Sequence, residues 1–125
     1  MKEKILFVNS CVRGENESRT LALAKTALSR LDGDIEEIRL ADADLKPLDA
    51  AGLAKRAESA EKNDFSDPVY DCAKQFAACD TVVIAAPFWD YSFPAFLKIY
   101  IESLCVGGLT FLYGSDGVPI SYCRA

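Results

Sequence analysis

Thr81-Val82-Val83-Ile84-Ala85-Ala86-Pro87-Phe88-Trp89-Asp90-Tyr91-Ser92-Phe93-Pro94-Ala95-Phe96-Leu97-Lys98 decides the fold. Its first six residues form an unbroken apolar run, the composition of a parallel strand covered on both faces. From Phe96 to Leu104 the chain reads as a helix, with Pro94 in its first turn. A strand that passes through aromatics into a helix sets those rings at the carboxyl edge of a sheet, where open α/β folds bind ligands. Each ring alone is an ordinary packing residue. Phe88, Trp89 and Tyr91 together, with Asp90 among them and prolines at either end, describe a stiff loop suited to a flat heteroaromatic ligand.

The upstream sequence supplies the other strands. Lys4 to Asn9 is a short apolar strand, and Ser10 to Ser18 a polar loop of turn formers. From Arg19 to Leu31, the apolar positions Leu21, Ala24, Leu28 and Leu31 recur at helical spacing. Asp32-Gly33-Asp34 stops that helix, and Ile35 to Leu40, less apolar, reads as an edge strand. Residues 41–66 read as a long loop with a helical turn or two between Ala51 and Lys62. Asp67 as N-cap and Pro68 at the first helical position open a helix to Cys79, with Val69, Cys72, Phe76 and Cys79 as its buried stripe. The order is βαβαβα, an open and mostly parallel α/β sheet with helices on both faces, in one domain spanning residues 1–125.

Composition narrows the chemistry. The 125 residues carry a net charge of −5 with the acids dispersed, which argues against a nucleic-acid or anionic-membrane surface. No run approaches the ~18 apolar residues of a membrane span, and no signal-peptide pattern precedes the first strand. Five cysteines without a Cys-x-x-Cys pair point to reduced thiols and a cytoplasmic protein. The absence of histidine excludes Ser–His and Cys–His catalysis and histidine metal sites.

The turn after the first strand, Ser10-Cys11-Val12-Arg13-Gly14-Glu15-Asn16-Glu17-Ser18-Arg19-Thr20, has the makings of a phosphate loop. Backbone N–H groups and a helix dipole face an anion there. Ser10, Ser18 and Thr20 add hydroxyls, and Arg13 and Arg19 add charge. Taken alone, Ser18 reads equally well as a helix cap. Neither Gly-x-Gly-x-x-Gly nor a Walker loop is present. A Cys-x5-Arg phosphatase loop starting at Cys11 needs arginine where Glu17 stands, and a phosphoacceptor site needs paired acids where Asn9-Ser10 stand.

Pro87 to Lys98 resembles the flavin-ring loop of the flavodoxin-like NAD(P)H:quinone reductases and FMN-dependent azoreductases: proline, an apolar residue, an aromatic, Asn or Asp, then an apolar-Pro-Ala-x-Leu-Lys helix start. The first turn is similar to that family's Ser-x-(x)-Arg…Ser-x-Thr loop, which makes Ser18 and Thr20 counterparts of its phosphate ligands. The resemblance implies FMN as cofactor, held by Ser10, Arg13, Ser18, Arg19 and Thr20 at the phosphate and by Pro87, Phe88, Trp89, Asp90 and Tyr91 at the ring, partly through backbone N–H groups of 88–91. It implies NADH or NADPH as donor, a quinone, azo compound or nitroaromatic as small-molecule acceptor, no obligatory protein acid or base, and a homodimer or higher self-association. A non-enzymatic flavin electron carrier, or an inactive fragment, fits the same residues. The resemblance covers about the N-terminal two-thirds of the family fold. It implies missing C-terminal strands, a third strand left at the sheet edge, and cover for that edge by self-association, segment exchange or the 109–122 tail.

Overall fold

The structure is a computed structural model that describes residues 2–125. Its main sheet has three parallel strands in the order β2-β1-β3: β1 (Glu3–Asn9), β2 (Gly33–Arg39) and β3 (Thr81–Ala85). This is the 2-1-3 beginning of a flavodoxin-like sheet. β1 is central, so Ile5, Leu6, Phe7 and Val8 are all buried although they alternate between faces.

Each face carries its own core. Ile5 and Phe7 pack with Leu21, Ala24 and Leu28 of α1 (Arg19–Leu28). Leu6 and Val8 pack on the other face with Leu97, Tyr100 and Leu104 of α4 (Ala95–Leu104) and with Cys79 beyond α3 (Asp71–Ala78). Helices therefore cover both faces, as the pattern predicts. α1 ends at Leu28, three residues early, and Leu31 is exposed. Pro94 is the N-cap of α4, one residue outside its first turn, and has no side-chain capping bond.

Two segments depart further from the sequence reading. Residues Ala50–Lys62 form a complete helix, α2, capped where Asp49 Oδ1 accepts from the Gly52 N–H at 2.8 Å and closed by left-handed Asn63. Its more sheltered stripe is Gly52, Arg56 and Ser59, polar residues that give no hydrophobic period. Arg56 donates to the carbonyls of Glu102 and Cys105, finishing the C-terminus of α4, and Tyr70 Oη donates to Ser59 Oγ at 2.7 Å. In the second segment, Pro68–Tyr70 is a 3-10 turn rather than the start of an α-helix. The tighter turn rotates the stripe, so Tyr70 and Ala73 are buried and Val69 is exposed. Cys72 and Cys79 stay in the core, and burial pushes both thiols up, away from reactive thiolates.

The tail forms a separate antiparallel hairpin of β4 (Phe111–Tyr113) and β5 (Pro119–Ser121). Arg124 ties it to the amino end of β3 through Asp80 at 2.6 Å and the Ala77 carbonyl at 3.3 Å. It does not pair with β3, whose only strand partner among the described residues is β1. β3 is thus an edge strand, as expected, but the tail does not extend its sheet. Among the described residues no helix is long and apolar enough to cross a membrane.

Tyr100 is the one buried side chain in the described structure whose polar atom has no hydrogen-bond partner, and burial drives its phenol further from ionisation. Tyr100→Phe removes an unsatisfied hydroxyl at nearly constant volume. It is expected to stabilise the fold by ~1 kcal/mol, read as a raised urea midpoint with an unchanged slope.

Candidate functional site

The carboxyl ends of β1 and β3 meet at Ser10. Its backbone N–H and its hydroxyl both donate to the Ala85 carbonyl, at 2.9 and 2.6 Å. Ser10 is wholly buried, so its donor is spent on the sheet and it stands behind the loop rather than facing a ligand. The neighbouring Asn9 Oδ1 accepts from the Cys11 N–H at 3.0 Å and stiffens the exit from β1.

From there the chain loops to α1. Gly14 accepts from the N–H groups of Glu17 and Ser18, and Ser18 then caps α1 by accepting from the Leu21 N–H at 3.1 Å. The N–H groups of Arg19 and Thr20, in the first turn, have no intrahelical acceptor and carry the positive end of the helix dipole. Arg13 and Arg19 are exposed and make no ion pair among the described residues. Glu15 is drawn aside to Lys25 at 3.5 Å, leaving Glu17 as the acid beside the loop.

The second loop is a tight turn. Trp89 and Ser92 exchange backbone hydrogen bonds of 2.9 and 2.8 Å, and the two residues between them are left-handed: Asp90 at φ 48° and Tyr91 at φ 62°. Positive φ at both central positions marks a type I′ turn, which ordinarily takes Asn-Gly. The turn consumes the Trp89 N–H, while those of Phe88, Asp90 and Tyr91 have no partner among the described residues. Asp90 does not cap α4; its carboxylate is exposed on the turn. Phe88 and Tyr91 are 75% and 94% exposed and meet edge to face at 6.1 Å.

Between the two loops lies a cleft of about 210 Å³, lined by Cys11, Val12, Arg13, Glu17, Ser18, Arg19, Thr20, Pro87 and Trp89. Six of the ten residues singled out from the sequence are brought together here: Arg13, Ser18, Arg19, Thr20, Pro87 and Trp89. Ser10 lies beneath it, and Phe88, Asp90 and Tyr91 project beside it into solvent. Cys11, Val12 and Glu17 line it without having been singled out, although their places in the first turn were the available signal. The lining suits an anion at one end and a flat apolar surface at the other.

A family model described as "Flavodoxin-like fold" matches residues 3–122. An FMN-dependent NADH:quinone oxidoreductase of Clostridium perfringens strain SM101 is 32% identical over 119 residues, 91% of this chain and 60% of that protein. FMN-dependent NADH:quinone oxidoreductase 2 of Clostridium acetobutylicum is 33% identical over 127 residues, 97% of this chain and 62% of that protein. The crystal structure of an azoreductase from Bacillus anthracis strain Sterne superposes with a TM-score of 0.72 at 25% identity, covering 94% of this chain and 62% of that one. The chain thus spans about 60% of the length of the curated relatives it matches.

The left-handed turn provides a test of its own strain. The double change Asp90→Asn with Tyr91→Gly installs the preferred type I′ pair. It should raise stability by ~1 kcal/mol, measured by urea unfolding of the protein alone.

Proposed function

The chain belongs to the flavodoxin-like family, and on that premise we propose that it holds FMN between the first turn and the loop after β3, as an FMN-dependent NADH:acceptor oxidoreductase. One observation carries the reading: Arg13, Ser18, Arg19 and Thr20 share a single cleft with Pro87 and Trp89. The curated relatives, FMN-dependent NADH:quinone oxidoreductases by name, support it over most of this chain.

The donor set fits a phosphate monoester. Two uncommitted guanidinium groups offset its charge, and the Arg19 and Thr20 N–H groups donate along the helix axis. The Ser18 hydroxyl accepts from Leu21, leaving its own proton for a phosphate oxygen. At about 210 Å³ the cleft has room for a phosphate and polyol tail, and Trp89, in its lining and 42% exposed, would flank the ring system. The free N–H groups of Phe88, Asp90 and Tyr91 are donors for ring heteroatoms.

When bound, FMN supplies two-electron hydride chemistry between NADH and a quinone, azo or nitroaromatic acceptor. The chain's own residues bind and orient, and no side chain needs to move a proton, in keeping with a sequence that has no histidine. Trp89 would wall one side of the ring, and the exposed Phe88–Tyr91 pair offers an aromatic surface beside it. All five cysteines are free, which suits a reducing compartment, and we place the protein in the cytoplasm.

FMN titration followed by anaerobic NADH tests the reading. FMN is expected to bind, and NADH to bleach its visible absorption with reoxidation by a quinone. Bound FMN that ignores NADH would instead make the protein an electron carrier, and failure to bind FMN would reject the site. Trp89→Ala should weaken FMN binding by ~1–3 kcal/mol; unchanged affinity would remove Trp89 from the site.

A further inference from the structure

The first turn carries two acids beside its two arginines, and only one of those acids borders the cleft. Glu17 is in the lining, whereas Glu15, between Arg13 and Arg19 in sequence, is turned aside and pairs with Lys25 Nζ at 3.5 Å. Lys25 is itself fixed from two further directions. Its ammonium donates to Glu37 Oε1 of β2 at 3.3 Å and stands 5.7 Å from the centroid of the buried Phe7 ring. Glu37 is the more sheltered of its two acids. One cation on α1, anchored to the sheet, therefore decides where a loop carboxylate lies.

We infer that Lys25 is a positioning residue for the phosphate end of the cleft: it holds Glu15 away from Arg13 and Arg19 and from the anion they would bind. This role presupposes the proposed FMN site and makes Lys25 a determinant of selectivity for the phosphorylated flavin over riboflavin. Arg13 and Arg19 are the cations nearest Glu15 in sequence, and neither makes an ion pair among the described residues. Without Lys25 they become the partners open to Glu15, and a guanidinium paired with a carboxylate is lost to a phosphate. The loop has room for that swing, since a side chain placed at Gly14 would meet nothing within 4 Å. The pair with Lys25 is solvent-exposed, so it contributes little to stability. Its effect falls on what the neighbouring arginines can bind. Lys25 also lies in the last turn of α1, where any cation favours the helix dipole with or without a ligand.

A double-mutant cycle read by titration calorimetry with FMN and with riboflavin tests the assignment. Lys25→Met should weaken FMN binding about three- to tenfold at low salt and leave riboflavin binding unchanged. In ~1 M salt, where the screening length falls to ~3 Å, that difference should vanish. Glu15→Gln alone should bind FMN as the wild type does, and adding Glu15→Gln to Lys25→Met should restore wild-type affinity, as should Lys25→Arg. A loss that persists in the double variant belongs to the charge of Lys25 itself and would overturn the assignment. So would equal weakening of FMN and riboflavin, or no weakening at all. The FMN cycle alone decides where riboflavin binding is too weak to measure, and Lys25→Gln runs the same cycle if Lys25→Met does not fold. A wild type that binds no FMN would remove the proposed site and this role with it, whereas additive variants of a wild type that binds FMN would remove this role alone.

Discussion

Two hydrogen bonds to one carbonyl set the geometry of this protein. The N–H and hydroxyl of Ser10 both reach the Ala85 oxygen, where β1 and β3 come to their carboxyl ends side by side. Because the strands are parallel, the chain leaves both in the same direction, and each exit loop must cross the same edge of the sheet. One exit returns through α1 on one face, and the other through α4 on the opposite face. The cleft is the space left between the diverging exits, so its existence follows from the pairing rather than from any single lining residue. Without the hydroxyl the carbonyl would still accept from the Ser10 N–H, so the loss would be that of a single hydrogen bond, ~1 kcal/mol.

The electrostatics of that space run opposite to those of the whole chain. The sequence carries a net charge of −5, yet two arginines and a helix N-terminus border the cleft against one acid, because Glu15 is held aside by Lys25. That local excess of positive charge suits the anionic phosphate of the proposed ligand. The neighbouring turn is built at some conformational cost. A tyrosine held left-handed and almost fully exposed gains nothing from burial to offset that strain.

Much of this is legible in the sequence. β1, β3, the apolar stripe of α1 and the start of α4 follow from hydrophobic period and capping residues, because packing in those elements is done by apolar side chains. α2 was not legible as a full helix. Its sheltered face is Gly52, Arg56 and Ser59, which hold it by hydrogen bonds, so the periodic signal that betrays most helices is missing. Hydrophobic spacing puts Val69 in the buried stripe, but the 3-10 turn before α3 shifts the phase and exposes it, and tight turns of that kind leave little trace in spacing. Within the site, Arg13, Ser18, Arg19, Thr20, Pro87 and Trp89 converge as their loops suggested. The inward turn of Ser10 and the outward turn of Phe88 and Tyr91 depend on backbone torsions that the residue types do not specify.

In the proposed function one ligand spans both loops. Titrating the isotope-labelled protein with FMN while following the backbone amides of Arg19 and Thr20 and the Trp89 indole N–H by nuclear magnetic resonance tests it directly. All three signals should move together along one binding curve. Movement of the helix amides with an undisturbed Trp89, or the reverse, would contradict it.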